Sequence, residues 1–552
     1  MRRKRDPVVH ITPRAARRTN DWWRGAVIYQ IYPRSFQDSD GNGVGDLPGI
    51  IQRLAYVEQL GVDAIWISPF CKSPMKDYGY DVADYCAVDP LFGTLEDFDA
   101  LLAEAHRLGL RVLIDFVPSH TSDQHPWFQE SRQSRDNPKA DWYVWAEPKP
   151  DGCPPNNWLS VFGGVAWEWE PRRGQYYLHH FLKEQPDLNF HCPQAVEALL
   201  AQARFWLDRG VDGFRVDAID YGVHDPKLRN NPPRRQRSIG GYQAGGSPYA
   251  MQEQRWSKAQ PELVELFLKP LHALTERYDG KVLLGEISGD HALLRAAEYT
   301  NGGGLDIVYT FDLLGCPGTP KGIRGVVEQL EREIDDGWAC WSFGNHDVPR
   351  PVTRFDGADP PEGLRRLLPV LLGSLRGTVC LYQGEELGLE EAKLDFGQLK
   401  DPWGIALWPA YAGRDGCRTP MPWDGSANGA GFTEGTPWLP VPDSHRKRAV
   451  TAQEPDERSV LNTTRAFLNW RRERQALRIG DLVFLRGTGD VLAFERRTEA
   501  DRLLCLFNLG GTPQRYRASG PLLDAGFESE GVQVVDRTVR LPPWGFAFAH
   551  ID

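Results

Sequence analysis

The chain has 552 residues, 41% apolar and 25% charged, with a net charge of −11 spread along its length. That composition fits a soluble globular protein of a few domains, or one large barrel with additions. An acidic balance without a basic block argues against nucleic acid or anionic membranes as partners. No stretch of about 18 apolar residues occurs, so no membrane span is expected.

In chain order, the opening MRRKRDPVVHITPRAARRTN (1–20) is basic but lacks the apolar core of a signal peptide. It is expected to be extended or disordered. The nine cysteines are scattered without a CxxC pair, which fits reduced thiols and a cytoplasmic protein better than a disulfide or zinc framework. AVIYQIYPRSF (26–36) reads as a first buried strand. The loop after it, DSDGNGVGD (38–46), places oxygen donors at alternate positions: Asp38, Asp40, Asn42 and Asp46, with the backbone carbonyl of Val44 between them. This matches the first nine positions of a calcium loop. Gly49 stands where an EF-hand would close with Glu, so the loop is read as a structural Ca²⁺ site of another kind. No cofactor is expected for catalysis.

YVEQLGVDAIWISPF (56–70), EAHRLGLRVLIDFVP (104–118) and FWLDRGVDGFRVDAI (205–219) share one plan: a helix, a glycine, then an apolar strand. Gly61, Gly109 and Gly210 are placed as helix C-caps. Thr94 with Asp97 predicts a capping box, and Phe98, Leu101, Leu102, Ala105 and Leu108 recur at helical spacing. Pro193 is placed to open the helix ending at Gly210. Further strands are read at 281–288, 306–311, 339–347 and 377–386. Alternating helices with eight apolar strands predict an α/β fold, a (β/α)₈ TIM barrel. A doubly wound sheet is the alternative, but no GxGxxG follows the first strand. The spacing predicts an inserted subdomain B after the third strand (121–190) within a barrel of 21–120 and 191–480. A second long insertion is read at 222–280. Short alternating runs predict a C-terminal antiparallel β-sandwich at 481–552.

A barrel carries its site at the C-terminal ends of its strands. Asp115 and His120, Arg215 and Asp217, Glu286, and His346 and Asp347 fall there. Side-chain alternation puts Arg215 and Asp217 on one face. In VDGFRVDAID (211–220), Asp212 lies at the wrong end of its strand and Asp220 lies past it, so Asp217 is favoured. Each acid alone could be a structural ion pair. Three carboxylates on one rim with two histidines suit glycoside cleavage. A zinc set of His120, Asp217, Glu286 and His346 is the rival, but the first strand ends without His-x-His. No G-x-S-x-G motif occurs.

Four motifs, DFVPSH, GFRVDAID, GEIS and FGNHDVPR, stand in order, with DYGYDVADY and YQGEELG beside them. Over nearly its whole length the chain resembles the α-amylase family, glycoside hydrolase family 13. Within it, the likeness is to exo-acting α-glucosidases and oligo-1,6-glucosidases. The resemblance implies Asp217 as nucleophile, Glu286 as general acid/base and Asp347 as transition-state stabiliser. It implies His120, His346 and Arg215 around the bound sugar, Tyr80 as platform, and Asp115 and Asp81 as supports. Asp77 and Arg414 match a pair gripping the non-reducing glucose, and Phe162 and Phe181 resemble wall residues that plain packing would also explain. Two departures from the usual pattern stand out. Ser119 precedes His120 where asparagine is usual, as in a branch with efficient glucosyl transfer. Ala218 matches members preferring α-1,4 links, where valine goes with α-1,6. The resemblance therefore implies an α-glucosidase acting on short, maltose-like oligosaccharides, with transglucosylation. An oligo-1,6-glucosidase, a sucrose- or trehalose-acting isomerase or transferase, and a non-catalytic relative are the alternatives. Nothing in the sequence signals an oligomeric state.

Overall fold

The computed structural model describes residues 21–234, 248–334, 337–357 and 359–551; the segment 1–20 lies outside them. Eight parallel strands close into a barrel. They are β1 (Val27–Ile31), β2 (Ala64–Ile67), β3 (Arg111–Phe116), β4 (Gly213–Val216), β5 (Val282–Ile287), β6 (Ile307–Thr310), β7 (Ala339–Trp341) and β8 (Thr378–Tyr382). Each strand pairs with its neighbour in sequence, and β8 pairs with β1. This is the expected (β/α)₈ barrel. Two predicted strands are shorter than their apolar runs. β1 stops at Ile31 and a 3₁₀ turn follows at Pro33–Ser35, because proline has no N–H for the ladder. β7 ends at Trp341.

The period of two places the site. Ile28, Leu113, Val282, Leu284 and Cys380 pack together in one cluster inside the barrel. Their alternates, such as Tyr29, Ile114, Phe214 and Leu283, pack in the outer core. Continuing the inward parity toward the strand ends brings Gln30, Asp115, Arg215, Asp217 and Glu286 to the upper interior. The chain therefore buries charge there only as the next step of the pattern that builds the core.

The flanking helices follow local signals. Helix α1 (Leu47–Gln59) is capped by the Asp46 side chain, which accepts from the Gly49 N–H at 2.6 Å. Helix α2 (Leu95–Arg107) has the Thr94/Asp97 capping box. Helix α3 (Pro193–Arg209) opens on Pro193 and ends at Gly210, whose φ of 104° only glycine adopts freely. Between β3 and α3, a three-stranded antiparallel sheet orders Trp145–Ala146, Gln175–Leu178 and Trp167–Glu170. It is packed on Trp158, Ala166 and Leu178. After residue 480, antiparallel sheets of five and three strands face each other across Leu504, Leu506, Val539 and Leu541, as a C-terminal β-sandwich. Among the described residues no helix is long and apolar enough to cross a membrane.

Candidate active site

One guanidinium organises the acids. Arg215, itself fully buried, donates from Nη1 to Asp115 Oδ1 at 2.6 Å and Asp217 Oδ1 at 2.5 Å. Its Nη2 pairs with Glu286 Oε1 at 2.6 Å. Its plane also lies 4.8 Å from the Trp66 ring centre. Burial pushes Asp115, Asp217 and Glu286 above the ordinary carboxylate range; Arg215 pulls them back, and neighbouring carboxylates push further. The cluster therefore gives up its protons at higher pH than the same acids in water, and that titration belongs to the coupled acids together.

The residue after Asp217 carries strain. Ala218 has φ 39° and ψ 42°, a left-handed conformation that non-glycine residues adopt at a cost of about 1–2 kcal/mol. The turn aims its N–H at Glu286 Oε2, 2.9 Å away. A strained backbone here sets the acid's carboxyl relative to Asp217.

Asp347 differs from the other acids. Burial opposes its ionisation, yet His346, Arg414 and Arg418 outweigh burial and hold it below the usual range. Arg418 Nη2 reaches it at 2.9 Å and Arg414 Nη1 at 3.2 Å. His346 takes the Gln30 amide N–H on Nδ1 at 2.8 Å, so its proton sits on Nε2, 2.6 Å from the Tyr80 hydroxyl. Tyr80 stacks on it with a 4° interplanar angle. Burial lowers His346 to about 3 and His120 to about 4, so both are neutral imidazoles near pH 7.

Of these groups, Tyr80, His120, Asp217, Glu286 and Asp347 line an open pocket with about 790 Å³ of empty space, counting the solvent at its mouth. Asp77 and Arg414 both line it and are joined at 2.8 Å. Phe162 lies 5.2 Å from the Arg414 guanidinium, and Phe181 packs against His120 and Tyr221. Both phenylalanines line the pocket with Val161 and Ala218. The structure thus gathers Asp77, Tyr80, His120, Phe162, Phe181, Asp217, Ala218, Glu286, Asp347 and Arg414 around one space, with Arg215 and His346 directly behind it. Asp81 is a support: it takes the N–H groups of Lys76 and Asp77 and the Ser73 hydroxyl.

Sequence reading missed several partners. Asp401 accepts two bonds from the Arg414 side chain, at 2.7 and 3.1 Å. Gln185, fully buried, donates to Asp77 Oδ2 at 3.3 Å, and its amide nitrogen lies 3.1 Å from His120 Nε2. Tyr221 and Tyr249 share a 2.8 Å hydroxyl bond and line the pocket. No motif marks them; only folding brings 185, 249 and 401 to the rim. Asp220 is also buried, against Lys258.

In the loop after β1, the carboxylate oxygens of Asp38, Asp40 and Asp46 lie within 4.8 Å of one another. Asp38 accepts from the Gly41 and Gly43 N–H groups at 2.8 Å, and Asp46 from the Ser39 N–H at 3.0 Å. The Asn42 amide donates to Asp40, and its oxygen takes the Val44 N–H. Converging carboxylates fed by backbone donors suit a hard, oxygen-seeking cation.

A family model described as the α-amylase catalytic domain matches residues 30–480. A probable α-glucosidase of Rhizobium meliloti is 53% identical over 96% of this chain and 97% of its own. An oligo-1,6-glucosidase of Heyndrickxia coagulans is 37% identical over 89% and 92%. Among solved structures, an α-glucosyl transfer enzyme superposes with a TM-score of 0.93 at 53% identity, covering 96% of this chain and 99% of that one. A mutant isomaltulose synthase of Erwinia rhapontici NX5, bound to its natural substrate sucrose, gives 0.86 at 32%, covering 96% and 99%.

Proposed function

The chain belongs to the α-amylase family, and from that premise we propose that it is a retaining α-glucosidase. It would release glucose from the non-reducing end of short α-1,4-linked, maltose-like glucosides, with transglucosylation. One observation carries the reading: Asp217 and Glu286 share the Arg215 guanidinium and face a pocket that the Asp77–Arg414 ion pair also lines, placed to close one end of it. Two carboxyls on one guanidinium suit the separation of about 5–5.5 Å that double displacement needs better than the wider spacing that admits a water between them.

In the first step Asp217 Oδ attacks C1. The C1–O bond breaks, and the proton carried by the acid pair passes from Glu286 to the departing oxygen. The product is a covalent β-glucosyl ester. In the second step Glu286, now a base, takes a proton from water or an acceptor hydroxyl. That oxygen attacks C1, and the Asp217 carboxylate leaves with retention. Asp347, held ionised, supports the positive charge developing on the ring, neutral His120 faces the sugar from the pocket wall, and neutral His346 acts from behind through its bond to the Tyr80 hydroxyl. A carboxylate and an arginine at a closed end bind the hydroxyls of a terminal glucose, which favours exo cleavage. Ala218, small and beside the nucleophile, favours α-1,4 links.

A second reading, a transferase or sucrose isomerase, uses the same residues; the 53%-identical glucosyl-transfer enzyme supports the transfer half of the proposal. Incubation with maltose, isomaltose, sucrose and trehalose, with products resolved by chromatography and the first-formed anomer read by proton NMR, tests both. Glucose as the α-anomer from maltose supports the reading; β-glucose, or rearranged sucrose as the main product, contradicts it.

For the loop at 38–46 we infer a structural Ca²⁺ held by Asp38, Asp40, Asn42, the Val44 carbonyl and Asp46, steadying the loop before α1. The nine cysteines are all unpaired, which supports a reducing, cytoplasmic setting.

A further inference from the structure

We propose that the buried Asp220–Lys258 ion pair is a positioning device that holds Glu286 in register with Asp217. It rests on the assignment of those two carboxyls as acid/base and nucleophile.

The barrel ladder between β4 and β5 runs from Gly213 with Val282 to Val216 with Gly285. Asp217 follows the last residue of β4, its N–H bonded to the Phe116 carbonyl at 2.8 Å, and Glu286 is the next residue on β5, still paired with Tyr309 of β6. Each acid is thus held by its outer neighbour, while the β4–β5 ladder itself stops before the pair and leaves their mutual approach to contacts between the two strand exits. Beyond Asp217 the chain turns through the strained Ala218 into a 3₁₀ turn at Ile219–Tyr221. Beyond Glu286 it runs through Ile287 to Ser288. Lys258, from the long β4–β5 connection, joins the two exits. Its Nζ donates to Asp220 Oδ2 at 2.7 Å and to the Ser288 carbonyl at 3.0 Å. The same ammonium sits 3.8 Å from the Tyr221 ring centre, and the Ala259 N–H bonds the Asp220 carbonyl at 2.6 Å. Gly289 completes the fit: a Cβ there would stand 3.1 Å from Nζ.

Stability alone does not explain the pair. Lys258 and Asp220 are 3% and 1% exposed. Desolvating two charges is costly enough that packed apolar residues commonly serve as well. What a charged pair adds is a fixed geometry. Here that geometry spans the turn that offers the Ala218 N–H to Glu286 and the loop that leaves β5 just after Glu286. Lys258 and Asp220 touch no reacting atom; they are positioning residues.

The consequence is selective. Proton delivery needs Glu286 within hydrogen-bond reach of the leaving oxygen, and a misplacement of about 1 Å costs on the order of 10²-fold. A sugar leaving group needs that proton, whereas 4-nitrophenolate departs without it. The neutral, shape-keeping variant Asp220→Asn/Lys258→Gln is expected to lose roughly 30- to 100-fold in kcat/KM on maltose and less than about fivefold on 4-nitrophenyl α-glucoside. Asp220→Asn alone, which keeps an oxygen acceptor for the ammonium, should show the same split at smaller size and serves if the double variant does not fold. Equal losses on the two substrates, or no loss on maltose, would overturn the proposal. Glu286→Gln, measured alongside, separates the two levels: if it shows no split, the acid/base assignment itself falls.

Discussion

Within residues 211–220, one strand carries Asp212 at the floor of the barrel and Asp217 at its rim, and the fold treats them in opposite ways. Asp212 accepts from the Val112 N–H and Arg111 Nη1 at 2.9 Å and from His106 Nε2 at 2.6 Å. Burial opposes its ionisation, but these donors hold its carboxyl below the usual range. Asp217 shares its single arginine with two other acids and is pushed well above that range. The floor satisfies its charge; the rim gathers three carboxylates on one guanidinium. Under the proposed function, stability and catalysis therefore occupy opposite ends of one strand.

Substitutions at the two ends should separate accordingly. Asp217→Asn is expected to lower kcat on maltose by about 10⁴-fold or more, because it removes the proposed nucleophile. The melting temperature should hold or rise by about 1–3 °C, since a carboxyl held above its ordinary pKa destabilises the fold at neutral pH. A large fall in melting temperature with activity retained would reverse the contrast. Arg414→Lys should raise KM for maltose by roughly 10²-fold, because the bidentate hold on Asp401 and the link to Asp77 are lost. Unchanged KM would remove the closed end from the account.

Asp212→Asn should do the opposite of Asp217→Asn: kcat unchanged within about twofold, and unfolding free energy lower by about 1–3 kcal/mol near pH 7. The sign with pH follows from its depressed pKa. The stabilisation is complete above the unfolded value of about 4 and is lost as pH falls through the folded one. Denaturation curves for wild type and variant should therefore converge as pH falls below the ordinary carboxylate value of about 4. Parallel curves would mean that charge plays no part. Ala218→Val should shift the maltose-to-isomaltose ratio of kcat/KM toward isomaltose by roughly tenfold; an unchanged ratio would remove Ala218 from linkage selection. The smallest change expected is from chelation. EDTA should lower the melting temperature by a few degrees, equivalent to about 1–3 kcal/mol of cation binding, with kcat at 25 °C unaffected. No shift would argue that the loop at 38–46 stands without a metal.

Much of this contrast was legible in the sequence. Strand parity placed Arg215 beside Asp217, and strand direction separated Asp212 from both. The glycine after each helix marked where strands begin. What was not legible depended on distant segments converging. Asp220 read as a loop residue because Lys258 stands 38 positions away inside an irregular connection. Gln185 and Asp401 carry no periodic or motif signal, yet each completes hydrogen bonds that Asp77, His120 and Arg414 need once buried. The expected first strand ran past Ile31 because hydrophobicity continues where Pro33 stops the ladder.

The asymmetry of the two ends is tested most directly by trapping the covalent intermediate. The enzyme would be incubated with 5-fluoro-α-glucosyl fluoride, digested, and the labelled peptide fragmented in a mass spectrometer. The ester is expected on Asp217, within the peptide that also carries Asp212 and Asp220, and absent from both of those residues. A label on Glu286 or Asp347, or none while the substrate is turned over, would contradict the account.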